Sequence, residues 1–152
     1  MKILFIALLS FYFSSSVFAQ KLEGEWTGYF KSKGSHIETK YSIKFLHENG
    51  KTYAVTRTDL QDGTYNYFII CKAHVTVNSA KQKIILKEYE SITKNTPIEF
   101  KECFQKHTLW FTSKNRIEYL EGNWISFGNK MNCGNGTTKL QRESKNSAAH
   151  QY

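Results

Sequence analysis

Along most of the chain apolar and polar residues alternate, with almost no recurrence at three to four positions, and this predicts strands buried on one face. The alternation is clearest from 64 to 77: Tyr65, Tyr67, Ile69, Cys71, Ala73, Val75 and Val77 share one side, while Thr64, Asn66, Lys72, His74 and Thr76 share the other. Phe68 and Ile70 interrupt the polar side. Reading the whole chain this way predicts eight strands, at 22–31, 40–47, 51–58, 64–77, 82–90, 103–112, 116–124 and 137–142. Most of the breaks between them are hairpin-sized, so neighbours in sequence should pair in space, in antiparallel up-and-down order.

One phrase occurs twice: Leu22-Glu23-Gly24-Glu25-Trp26 near the start and Leu120-Glu121-Gly122-Asn123-Trp124 near the end. In an extended strand Leu, Gly and Trp of each copy point to one face. A glycine two residues before the tryptophan lets the indole lie down beside a backbone that has no Cβ there, as needed where a curved sheet closes on itself. The expectation is an all-β fold, an eight-stranded antiparallel up-and-down barrel.

The hairpin around Asn49-Gly50 sets which residues line its interior. A two-residue turn would pair Phe45 with Ala54 and Ile43 with Thr56. A three-residue loop with a glycine bulge pairs Phe45 with Tyr53, Ile43 with Val55 and Tyr41 with Arg57, aligning one apolar face across both strands. The second register is preferred here, and it turns Arg57 inward. The expected lining is then aromatic, with Trp26, Phe30, Tyr41, Phe45, Tyr53, Tyr65, Tyr67, Tyr119 and Trp124 joined by Arg57 and His47.

Gly24-x-Trp26 on the first strand, eight strands in a chain of this length, and Arg142 on the last strand, on the same face as Leu140, together resemble the calycins, the lipocalin and avidin group of barrels. The resemblance implies that Arg142 packs over Trp26 in a cation–π contact as the barrel closes. No helix follows the last strand, which is more similar to avidin than to lipocalins, and no biotin-site pattern is present. The second Gly-x-Trp with Cys133-Gly134-Asn135-Gly136 also resembles small exported proteins of the Bacteroidetes. Gly24, Trp26, Gly122, Trp124 and Arg142 are therefore read as structural.

Composition then places the barrel. Lys2, an apolar run from 3 to 13, and Val17 and Ala19 at small-residue positions read as an export signal over 1–19, cut before Gln20. The run is too short to span a bilayer. The barrel domain is expected over 20–142 and a polar, disordered tail over 143–152. The mature chain is expected to be secreted or periplasmic. Its formal charge is +8 over all 152 residues, and +7 once Lys2 is removed. The lysines are scattered singly, as on a solvated face, and no basic run or stacking motif points to nucleic acid. Asn135-Gly136-Thr137 is a glycosylation sequon, relevant only in a eukaryotic secretory pathway.

Three cysteines in an exported chain leave one bridge and one spare thiol. Cys103 and Cys133 fall at strand edges on one rim and are expected to pair, leaving Cys71 as a buried thiol. Cys71-x-x-His74 and Cys103-x-x-x-His107 do not chelate by themselves. In a strand, residues three apart face opposite ways and residues four apart lie about 13 Å from one another. Glu88, Glu90, Glu99 and Glu102 have no spacing that fixes a carboxylate pair and are read as solvated. No nucleophile elbow, phosphate loop or metalloprotease helix is present. The expectation is a protein that is not an enzyme and carries no metal and no cofactor. Its barrel would hold a small apolar or anionic ligand, with Arg57, Tyr53, Tyr65, Tyr67, Tyr41 and His47 as contacts. The alternatives are a filled barrel that binds a protein through 91–102 and 125–136, and a glycan-binding domain using Tyr29, Tyr89 and Phe127.

Overall fold

The computed structural model describes residues 18–62, 65–97, 102–127 and 133–144. Eight strands follow one another: β1 (Gly24–Ser32), β2 (Glu38–Glu48), β3 (Lys51–Asp62), β4 (Tyr65–Asn78), β5 (Lys83–Asn95), β6 (Phe104–Lys114), β7 (Ile117–Phe127) and β8 (Asn135–Glu143). Each pairs antiparallel with the next, and β1 pairs with β8, so the sheet closes into a calycin-like up-and-down barrel. Closure leaves no unpaired sheet edge between the first and last strands. The expected leader falls mostly on residues outside the described ranges, as does the tail beyond Ser144.

The core is the inward half of the alternation: Trp26 and Phe30 of β1, Tyr41, Ile43 and Phe45 of β2, Ile84 and Leu86 of β5, Leu109 and Phe111 of β6, Leu120 and Trp124 of β7, and Leu140 of β8. Leu22 is fully buried as well, but it belongs to a short helical turn over 18–22 rather than to the expected start of β1. That turn lies against one end of the barrel, with Phe18 meeting Phe111 edge to face at 5.7 Å. The hairpins 48–51, 78–83 and 114–117 share this closed end.

The β2–β3 hairpin takes the register that apolar alignment disfavoured. Phe45 lies opposite Ala54, Ile43 opposite Thr56 and Tyr41 opposite Thr58. Asn49 and Gly50 both have positive φ, 51° and 73°, the backbone of a two-residue turn whose twist matches the strands it joins. Asn-Gly is the pair that tolerates this conformation best, and local turn chemistry outweighed matching of apolar faces. The cost of turning Thr56 inward is offset by a hydrogen bond to a buried carboxylate described below. As a correction to the expected lining, Tyr53 and Arg57 point outward. There the Tyr53 hydroxyl donates to Glu48, while Arg57 pairs with Asp59 at 2.7 Å and lies over the Phe68 ring at 4.5 Å. That contact also accounts for Phe68 on the polar side of β4. Tyr119 faces outward too, because Glu118, Leu120 and Trp124 hold the inward positions of β7.

Gly122 shows what the repeated Gly-x-Trp phrase is for. A Cβ at Gly122 would lie 2.0 Å from the Thr108 carbonyl oxygen and 3.0 Å from the Leu109 Cα, and backbone atoms of a paired strand have no rotamer with which to yield. Gly122→Ala is expected to lower unfolding stability by about 2–3 kcal/mol, as overpacking against a fixed neighbour does. Urea denaturation followed by circular dichroism reads this, and an unchanged midpoint would show that β6 and β7 can part without penalty.

Candidate functional site

The two ends of the barrel differ. At the closed end Arg142 sits over the Trp26 ring at 4.0 Å. It also donates to Glu118 Oε2 at 2.8 Å, to the carbonyls of Leu22 and Glu23 at 3.2 and 2.6 Å, and to the Lys21 carbonyl. The Trp26 indole N–H donates to the Leu22 carbonyl at 2.9 Å. One guanidinium thus fixes the incoming chain, β1, β7 and β8 together, and leaves no room for a guest. His47 also lies towards this end, held through Nδ1 to the Thr52 hydroxyl at 3.1 Å.

At the opposite end is a cavity of about 280 Å³. Phe30, Leu60, Ile69 and Trp124 form its apolar walls, and Ser32, Thr39, Thr58 and Ser126 add hydroxyls. The rings of Phe30 and Trp124 meet at 5.1 Å, and the Trp124 N–H is anchored on the Lys31 carbonyl at 3.2 Å. The Cys103–Cys133 disulfide is formed, with Cα atoms 6.3 Å apart, and lines the same cavity. It ties the segment before β8 to the start of β6.

The inner end of this cavity is polar. Glu88, read from the sequence as solvated, is 3% exposed. Its Oε1 accepts from the Thr56 hydroxyl at 2.7 Å and the Tyr41 hydroxyl at 3.1 Å, and its Oε2 accepts from the Gln105 backbone N–H at 2.8 Å. The reason lies in the ladder. β5 and β6 pair only from Lys83 to Lys87, and β5 bulges against β4 immediately beyond Glu88. Past Lys87 the Gln105 N–H has lost its place on β5, and the Glu88 carboxylate takes it up. Burial pushes the Glu88 carboxyl above its usual range, opposed by these three hydrogen bonds and reinforced by the nearby charge of Glu102.

Next to Glu88 lies His107, fully buried and stacked on Tyr41 at 4.7 Å. Its Nε2 is 2.9 Å from the Gln105 side-chain oxygen and its Nδ1 is 2.9 Å from the Thr138 hydroxyl. With that amide oxygen as acceptor, Nε2 carries the hydrogen and Nδ1 accepts from Thr138. Burial alone drives the imidazole down to about 3, so it is neutral. Burial and the Glu88 charge likewise hold the Tyr41 hydroxyl well above its usual range. The Cys71 thiol, another lining group, is pushed up to about 12 by burial, then by Glu88 and Glu102. Thr138, His107, Gln105, Glu88, Thr56 and Tyr41 make one hydrogen-bonded layer across the barrel.

Of the five expected ligand contacts whose side chains are described, the structure brings only Tyr41 to this region, where it supports Glu88. Tyr53 and Arg57 lie outside, and His47 is at the other end. Tyr67 is half-buried on β4 and does not line the cavity. Tyr65 opens β4, but its side chain lies outside the described residues. One residue read as structural has a further role: Trp124 walls the cavity, whereas Gly24, at φ 110°, only starts β1. The sequence reading missed Glu88 and His107, although both were visible as continuations of apolar alternation, in Ile84, Leu86, Glu88 and in His107, Leu109, Phe111. A polar residue in phase with buried ones is itself a signal, because burial of such a group requires partners. Among the described residues no group of three or more His, Cys, Asp or Glu is placed to hold a metal, and no helix is long and apolar enough to cross a membrane. No protein-family model matches the chain, nor does any curated protein or solved structure.

Proposed function

We propose that the chain is an exported, non-catalytic binding protein that holds one small molecule in the cavity between Phe30, Trp124 and Glu88. The observation that carries this reading is the division of the barrel: one end is locked by Arg142 and packed side chains, while the other keeps a cavity with apolar walls and a few convergent polar groups, the usual make-up of a small-ligand site. About 280 Å³ suits a compact guest. Export is supported by the disulfide, which persists in oxidising compartments, and by the leader-like N-terminus. The non-catalytic reading is supported by the state of the reactive groups: a thiol held protonated and an imidazole enclosed with both nitrogens engaged make a poor nucleophile and base. The anionic guest considered from sequence loses its basis, since Arg57 faces solvent and the described residues of the cavity lining include no Lys, Arg or His.

Native mass spectrometry of the protein purified from its own host is expected to show a retained small molecule. Thr58→Trp, which places an indole in the cavity, should abolish retention while moving the thermal midpoint by only a few degrees. If both proteins are empty and a stoichiometric protein partner co-purifies instead, the barrel serves as an interaction module.

A further inference from the structure

Glu88 is a buried carboxylate without a counter-charge among the described residues. All three of its hydrogen-bond partners donate, the hydroxyls of Thr56 and Tyr41 and the backbone N–H of Gln105. Such a set suits an anion, whereas a protonated carboxyl would bring its own hydrogen into a group of donors. Yet among the described residues no cation lines the cavity, the neighbouring His107 is neutral, and the Arg142 guanidinium is engaged with Glu118 at the closed end. Three donors leave one acceptor position, on Oε2, of the roughly four a carboxylate offers.

A second observation points the same way. Glu102, the residue before the cavity-lining Cys103, pairs through Oε2 with Lys94 at 3.1 Å, while its Oε1 is buried and accepts no hydrogen bond among the described residues. Its negative charge is felt at both Glu88 and Cys71, two groups of the lining. Of the two carboxylates, Glu102 has Lys94 as its partner, and Glu88 is the one that puts an uncompensated charge at the cavity. Its walls add the Phe30 and Trp124 rings, which offer an apolar surface beside the carboxylate.

Resting on the binding function above, we propose that the guest is a small organic amine, bound as its ammonium ion, with Glu88 as counter-ion and the Phe30 and Trp124 rings enclosing its hydrocarbon part. An ammonium supplies the hydrogen that the free position on Glu88 Oε2 lacks, and it removes the penalty of an isolated buried charge. A metal ion fits less well, because only one acceptor position is open and no further ligand set surrounds it.

Three probes of similar size and different charge test this: phenethylamine, 2-phenylethanol and phenylacetate, titrated calorimetrically into the full chain at neutral pH. Phenethylamine is expected to bind at least tenfold more tightly than 2-phenylethanol, and phenylacetate most weakly. Glu88→Gln should bring phenethylamine down to the level of the alcohol. Because the wild-type comparison needs no variant, it decides the matter even if Glu88→Gln fails to fold. Equal binding of amine and alcohol, or a preference for the acid, overturns the amine assignment and leaves the binding function standing. No binding of any probe at millimolar concentration overturns both.

Discussion

Arg142→Ala is expected to lower the unfolding free energy by about 3–5 kcal/mol, the usual result of removing one partner of a buried ion pair. The side chains of Arg142 and Glu118 are 10% and 6% exposed, so the loss strands a carboxylate that water reaches poorly. The guanidinium also leaves three backbone carbonyls of the incoming chain, at Lys21, Leu22 and Glu23, and the face of Trp26. Arg142→Lys keeps the charge but loses the planar group that stacks and donates in several directions at once, and should fall between wild type and alanine. Removing Glu118 as well relieves the stranded charge, so the double variant Arg142→Ala, Glu118→Ala should be more stable than the sum of the single losses allows. Chemical denaturation of the four proteins measures this cycle. A loss under about 1 kcal/mol for Arg142→Ala would put this pair with ordinary surface pairs and remove the clamp from the account of closure.

The second large effect is an acid limb of stability set by His107. Its imidazole titrates at about 3 in the folded barrel, against about 6.5 in an unfolded chain. With the folded value depressed, the unfolded chain binds the proton first. Stability is therefore complete above about pH 6.5 and is lost progressively as pH falls towards 3, by about 5 kcal/mol in total. Glu88 works in the opposite sense. Its folded value is raised, so protonation on acidification relieves part of the cost of burying its charge, over the interval from that raised value down to the unfolded one. His107→Gln removes the titrating ring and retains an amide able to bond Thr138 or Gln105, so its stability should fall less steeply through the same range. Urea midpoints collected from neutral pH down to the onset of acid unfolding provide the test. Parallel profiles for the two proteins would show that His107 is not the group responsible. A separate alkaline limb belongs to Cys71: the unfolded thiol ionises near 8.5 and the folded one at about 12, so stability declines as pH rises between those values.

Architecture was legible in the sequence because alternation and closure are local signals. Each of the eight predicted segments coincides with an observed strand, whereas Gly122, expected to make room for an indole, instead meets the paired backbone of β6. Strand ends were less legible. β3 runs on to Asp62 and β5 to Asn95, well past the last apolar alternation, because pairing with β4 carries them on. The site was hardest to read, since its key contacts join residues far apart in the chain: Tyr41 and Thr56 reach Glu88 across separations of 47 and 32 residues, and His107 meets Thr138 across 31. In the β2–β3 hairpin, an apolar-matching argument chose the register that pointed Tyr53 and Arg57 inward. It failed because Thr56 had a buried partner on β5 that no inspection of the hairpin itself could supply. One misplaced turn thus moved two of the six expected contacts to the wrong side of the wall.

The polar layer through Glu88, Gln105, His107 and Thr138 lies between the Arg142 clamp and the cavity, and so divides the labour of the chain. Residues beyond it towards the mouth, such as Thr58, Leu60, Ile69 and Ser126, can be exchanged for others of different size or polarity without disturbing the groups that decide whether the cylinder assembles. Selection, or a designer, can therefore retune what this vessel accepts while its base is inherited unchanged.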